Sequence, residues 1–292
     1  MKRFLMRSFM VIFILLLLWI IIAPSCMSMR TADSKMKEQF REQGVELTTA
    51  TQQVNGHAVH YASTGSDTLP TIVFIHGTPG SWDAFAGYLK DTVLLQHYRL
   101  ISVDRPGFGY SDFGKTWHLQ QQSEMMSPVL QTFKNGKPLF LVGHSLGGPV
   151  VVKLAAENPS LFSALMIISG SIDPAEEKPE KWRPWLFNTP LNLLVPGALR
   201  QSNKEIWYFK KDLVGLKNDF EKIHCPVIFI HGQKDTWVPP GNVAYGKKML
   251  VNAAGISELF FADGNHFIPW TKFNEIKKAL LNLVEVDKAL NK

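Results

Sequence analysis

The apolar positions of this chain fall into three regimes. Residues Phe9 through Ala23 are apolar without interruption, after a start that carries Lys2, Arg3 and Arg7. From Thr31 to about Gln43 the sequence is polar and charged, which predicts a linker or a short surface helix. From Val45 onward, short apolar runs bounded by turn residues alternate with stretches of helical period. Val45–Gln53 and His57–Ala62 read as two antiparallel strands joined around Asn55-Gly56, a pair suited to the positive φ angles of a tight hairpin. Runs near Thr71–Ile75, Leu100–Val103, Pro138–Val142, Ala164–Ile168, Cys225–His231 and Ser257–Ala262 read as further strands. Between them, Trp82–Gln96, Trp117–Lys134, Leu146–Glu157, Asn242–Val251 and Phe273–Leu290 read as helices. This alternation predicts an α/β fold, with a mostly parallel central sheet flanked by helices.

The rhythm breaks between about Ser171 and Lys222. No strand pattern appears there, the segment is rich in aromatic and apolar residues, and Pro174, Pro179, Pro184, Pro190 and Pro196 punctuate it. It reads as a small helical cap. The expected organisation is a signal sequence or membrane anchor over 1–26, a linker over 27–44, and one catalytic domain over 45–292 with the cap inserted at about 171–222.

The chemistry collects where predicted strands end. Gly143-His144-Ser145-Leu146-Gly147 follows one strand and opens a helix, which is the form of a nucleophile elbow. Its tight turn lifts a serine hydroxyl above the sheet, so the residues two before and two after it must be small. A serine nucleophile needs a base and an orienting acid, in the order Ser, then acid, then His in this architecture. Asp235 lies just past the strand at Val227, and His266 just past the strand at Ser257. Ligand and catalytic groups of open α/β sheets gather at such carboxyl ends. Asp173, past the strand at Ala164, is the rival acid, and Asp104 a weaker one because it precedes the serine. His76-Gly77-Thr78-Pro79-Gly80 follows the strand at Thr71. Pro79 has no N–H to give, so the expected oxyanion donors are the backbone N–H groups of Thr78 and Leu146.

These motifs, with Asp104-Arg105-Pro106-Gly107-Phe108-Gly109-Tyr110-Ser111, Gly232-Gln233-Lys234-Asp235 and Gly264-Asn265-His266, resemble those of the α/β-hydrolase fold superfamily, from about Gln53 to the end. The resemblance implies an ester- or amide-type hydrolase that uses Ser145, Asp235 and His266 and needs no cofactor. Ser145 sets the chain apart from epoxide hydrolases and haloalkane dehalogenases, which use an aspartate. Leu146 stands where proline iminopeptidases have a tryptophan. A serine esterase of the carboxylesterase and lipase-like branch is therefore expected, with a small-molecule ester substrate. A carbon–carbon bond hydrolase or aminopeptidase of the same fold, and a non-catalytic membrane-tethered binding protein, are the alternatives. Trp182, Trp185 and Trp207 of the cap, and Phe267 beside His266, are the expected substrate-binding residues, suited to an apolar acyl or alcohol group.

Composition changes this picture little. The net charge of +6 suggests an anionic partner until its location is considered. Four basic residues, Lys2, Arg3, Arg7 and Arg30, and no acids lie in the first 30 residues, which leaves +2 on the rest and no nucleic-acid signature. No spacing of His, Cys or carboxylates points to a metal, and the two cysteines, Cys26 and Cys225, are isolated. The leader admits three fates: a cleaved secretory signal, an uncleaved signal-anchor, or a lipoprotein signal with Cys26 acylated. A membrane tether is favoured over secretion. In each case the basic flank stays cytoplasmic and the catalytic part is exported across the cytoplasmic membrane.

Overall fold

The molecule is described from a computed structural model that covers residues 2–285. The described residues form one eight-stranded sheet in the order β1-β2-β4-β3-β5-β6-β7-β8. β1 (Thr48–Val54) pairs antiparallel with β2 (His57–Thr64), and β2 antiparallel with β4 (Arg99–Val103). β3 (Thr71–Ile75), β4, β5 (Leu139–His144), β6 (Ala164–Ile168), β7 (Val227–Gly232) and β8 (Ile256–Phe261) run parallel. The hairpin at Asn55-Gly56 forms as its turn residues demand, with both at positive φ.

The inner strands read as continuous apolar runs because both faces of a parallel sheet are covered. Their residues divide strictly by parity. Val73, Ile75, Leu139, Leu141, Leu165, Ile167, Val227 and Phe229 pack on one face, against helices Leu119–Gln131, Gly147–Glu157 and Gly197–Leu216. Ile72, Phe74, Phe140, Val142, Ala164, Met166, Ile168 and Ile230 pack on the other, with Trp82, Phe85, Tyr88, Ile276 and Leu280. A shift of one residue in any inner strand exchanges its two faces, so register and core composition specify each other.

Two predicted elements differ, and a third is only partly described. The helix expected over Trp82–Gln96 is broken into Trp82–Phe85, Ala86–Leu89 and Thr92–Leu95. The last piece starts anew because the Asp91 carboxylate accepts from the N–H groups of Val93 and Leu94. The stretch expected as a linker or surface helix contains the helix Asp33–Arg41, which buries Met36 and Phe40 in the core. The C-terminal helix runs Phe273–Leu281, and its expected end at Leu290 lies outside the described residues. The apolar leader is a helix, Lys2–Ile22, whose side chains are largely exposed. Within the segment expected as a cap, short helices Trp182–Phe187 and Pro190–Leu194 lead into the long helix Gly197–Leu216.

Candidate active site

The sheet delivers three side chains to one place. Ser145 follows β5 and precedes the helix Gly147–Glu157, with φ at +56°. A non-glycine residue in that region is strained, and the surroundings hold it there. A Cβ on Gly143 would come within 2.4 Å of the Gly147 carbonyl oxygen, and one on Gly147 within 2.3 Å of the Ile75 oxygen. Only hydrogen fits at either position, so the elbow's two glycines are fixed by backbone approach.

His266, on the loop after β8, places Nε2 3.0 Å from the Ser145 hydroxyl. Its Nδ1 is 2.8 Å from Asp235 Oδ2, on the loop after β7. The other oxygen of Asp235 accepts from the N–H groups of Val238 and Trp237, at 2.8 and 3.0 Å. The carboxylate is thus held on both sides. An ionised Asp235 requires the His266 proton on Nδ1, which leaves Nε2 free to accept the serine proton. All three residues are buried. Burial pushes the Asp235 carboxyl up, but the hydrogen bonds from His266 and Val238 and the nearby imidazoles outweigh it and hold the group below its usual range.

The two neighbouring imidazoles stay neutral. Burial, and then the proximity of His266, push His144 down to about 3. Its Nε2–H donates to the His266 carbonyl at 3.1 Å. His231 is pushed down by burial and donates to the Val238 carbonyl at 2.9 Å. These bonds brace the backbones of the two loops that carry His266 and Asp235.

Asp173 and Asp104, the alternative acids, lie elsewhere. Asp173 accepts from the N–H of Ala175 two residues on, and pairs with no imidazole among the described residues. Asp104 is fully buried and ties three segments together. It accepts from the N–H of Trp82 at 2.7 Å, from the N–H of Tyr110 at 2.9 Å and from His60 Nδ1 at 2.8 Å.

The loop after β3 lies against the serine. A Cβ on Gly77 would sit 2.8 Å from the Ser145 Cβ. Thr78 and Leu146, the expected oxyanion donors, line the same cavity as Ser145 and His266. A network not visible in the sequence supports this loop. Arg105 is wholly buried, and its backbone N–H donates to His76 Nε2 at 3.0 Å. Its guanidinium donates to the Gly77 carbonyl at 3.0 Å, to Gln122 at 3.1 Å, and to both oxygens of Glu205 at 2.6 and 3.1 Å. Glu205 belongs to the helix Gly197–Leu216 and is itself buried. A forked, doubly bonded ion pair therefore joins the segment above the sheet to the loop beside Ser145. The available signal was the period of the helix: Gln201, Glu205, Phe209 and Leu213 share one stripe, so a carboxylate sits in an otherwise inward row.

A cavity of about 780 Å³ opens over Ser145. Trp182 lines it, together with Leu186, Val195, Leu199, Ile206, Trp237 and a group of charged residues around Glu176–Glu180. The other expected binding residues, Trp185, Trp207 and Phe267, are not among its lining. Leu199, Ser202, Asn203 and Ile206 form the helix face toward the cavity, and Trp207 lies about 100° further round. Trp185 is 64 % exposed on the short helix that carries Trp182. Phe267 packs edge-on to Trp237 at 5.1 Å, behind that lining residue. Among the described residues, no group of His, Cys, Asp and Glu is arranged to hold a metal ion.

Comparison with known proteins matches the arrangement to a fold. The profile of the alpha/beta hydrolase fold matches residues 70–196. The chain is 26% identical over 237 residues to a pimeloyl-[acyl-carrier protein] methyl ester esterase of Nitrosomonas europaea, covering 67% of this chain and 88% of that protein. It is 32% identical over 104 residues to the mouse sn-1-specific diacylglycerol lipase ABHD11, covering 36% of this chain and 34% of that one. Among solved structures, a membrane phospholipase A described as a bacterial virulence factor superposes with a TM-score of 0.63 at 17% identity, covering 99% of both chains. Profile, relatives and sheet topology agree: the protein has the α/β-hydrolase fold and is an enzyme of that fold.

Proposed function

We propose that the protein is a serine hydrolase that cleaves carboxylic esters of small or medium, largely apolar substrates through an acyl-enzyme. The observation that carries this reading is the unbroken line from Asp235 through His266 to Ser145, with links of 2.8 and 3.0 Å, at the floor of a substrate-sized cavity. In the first half-reaction His266 Nε2 takes the Ser145 proton as Oγ attacks the ester carbonyl. Asp235 keeps the imidazole in the needed tautomer and stabilises its charged form. The N–H groups of Thr78 and Leu146 stabilise the oxyanion, each donor contributing about 3–4 kcal/mol to the barrier reduction. His266 then protonates the leaving alcohol, and water repeats the sequence on the acyl-enzyme. Ester-cleaving relatives of the same fold support the choice of substrate class.

The same reading keeps the leader on the mature protein as an uncleaved membrane anchor. Arg3–Ile22 is a 20-residue apolar helix, about 30 Å long, enough to cross a bilayer's hydrocarbon. The residues after it are built into the fold: Ala23 is buried, and its carbonyl accepts from Gly197 at 2.8 Å. Cleavage at or before Cys26 removes that bond. The catalytic domain then sits on the exported side, as the basic residues before the helix require.

Turnover of chromogenic esters tests the function. The full-length protein in detergent is expected to hydrolyse short acyl esters, and Ser145→Ala to abolish it. Equal rates in the two proteins refute the reading.

A further inference from the structure

The exit of the apolar helix is fastened to the wall of the cavity. Trp19 Nε1, one turn before the helix ends, donates to the Leu194 carbonyl at 2.9 Å. The N–H groups of Gly197 and Ala198 donate to the carbonyls of Ala23 and Met27, at 2.8 and 3.1 Å. Gly197 has φ at +23°, and a Cβ there would meet the Cys26 carbonyl oxygen at 2.3 Å. The contact is therefore a close backbone approach that only glycine permits. Val195 and Leu199, on either side of this joint, line the cavity.

Around the cavity the surface is unusually aromatic. On the side of the joint, the helix Trp182–Phe187 packs against Pro190–Leu194, and Trp182, Trp185 and Leu193 are 50, 64 and 45 % exposed. On the other side, Trp237 lines the cavity and is 68 % exposed. It continues into Phe267 and then Trp270 through ring contacts of 5.1 and 6.1 Å, and both are more than two-fifths exposed. Large exposed aromatic clusters mark interaction surfaces, and tryptophan in particular favours the headgroup level of a bilayer. Residues 190–198 are held at the mouth of a helix long enough to span, so this surface begins where the hydrocarbon ends.

We propose that this aromatic rim is a bilayer-docking surface, and that the cavity takes its ester from the lipid phase rather than from water. The substrate class follows: esters whose acyl or alcohol chain partitions into a membrane. The part concerning substrate rests on the hydrolase reading above, whereas the docking itself does not. No charge on the lipid is required, because the anchor supplies the attachment and the rim only has to settle into the interface.

The full-length protein in phosphatidylcholine vesicles provides the test. With Cys26 and Cys225 replaced by Ser, a bimane is attached after Trp185→Cys, Leu193→Cys or Lys137→Cys. Lys137 is exposed at the opposite end of the sheet, just before β5. Labels at 185 and 193 are expected to be quenched by lipids brominated on the acyl chain and protected from aqueous iodide, with the reverse at 137. In unlabelled protein, the double variant Trp185→Ser, Leu193→Ser is expected to lose about tenfold on a long-chain ester carried in the vesicles, while a short soluble ester is cleaved at the original rate. Iodide access at 185 and 193 equal to that at 137 overturns the proposal, as it also does if the rim meets a protein partner instead of lipid. Equal loss on both esters overturns the substrate part. Quenching is read without turnover, so its failure is separable from failure of the hydrolase reading.

Discussion

Ser145, His266 and Asp235 lie far apart in the chain and meet because strands β5, β7 and β8 end at the same edge of the sheet. Their order and their position after strands were readable from residues alone, because an elbow glycine pair and a carboxyl-end loop are local features. The acid was expected at Asp235, with Asp173 as its rival. Asp173 and Asp235 both follow strands, and only the 2.8 Å contact with His266 separates them. Asp235→Asn is therefore expected to lower kcat by about 10⁴-fold with the fold intact, and Asp173→Asn to leave it unchanged. Loss confined to Asp173→Asn would reverse the assignment. The pH profile follows from the same contacts. His144, held near 3, stays neutral in the range where His266 acts. Between about pH 5 and 9, kcat/KM should therefore show no limb that belongs to His144. Asp235 has the opposite consequence for stability. Its carboxyl is lowered by folding, so the stabilisation is present above the unfolded value and is lost as pH falls through the folded one. Urea titrations of the wild type and Asp235→Asn should converge at acidic pH and diverge toward neutrality.

The strands followed from sequence because each has a short apolar run and a turn residue to end it. Elements governed by distant partners did not follow. The run at Trp82–Gln96 has helical composition, yet Asp91 restarts the chain, and Trp82 is fixed by the carboxylate of Asp104. The helix Gly197–Leu216 shows the same limit more sharply. Its helical character was legible within the cap, but the partner of Glu205 is Arg105, 100 residues earlier. That pair joins the helix to the Gly77 carbonyl next to the serine. Glu205→Ala leaves a buried guanidinium without its counter-charge and should cost about 3–5 kcal/mol in denaturant unfolding. Glu205→Gln keeps one acceptor and should cost less, while kcat falls more than KM changes because the loop carrying Thr78 loses its brace. A loss confined to KM would assign Glu205 to substrate binding instead.

At the scale of the whole molecule, the leader and the enzyme form one structure. Composition revealed an apolar helix, and hydropathy alone left cleavage, anchoring and lipidation open. The proposed anchor rests on pairs such as Trp19 with Leu194 and Ala23 with Gly197, which join the two ends of a long sequence interval and leave no mark in either. Gly197→Ala should release this joint: about 1–3 kcal/mol is lost to overpacking at a site where a Cβ has no room. Faster proteolysis after Cys26, read by intact mass, would register that release, and unchanged protection would show that the joint bears no strain. The account as a whole depends on a nucleophile at position 145 activated by residue 266. Phosphonylation of the full-length protein by a fluorophosphonate, followed by peptide mass mapping, tests this most directly. The account predicts a single adduct on the peptide containing Ser145, formed at least about 10³-fold more slowly after His266→Gln. An adduct on another residue, or labelling of Ser145 at the same rate without the histidine, would contradict it.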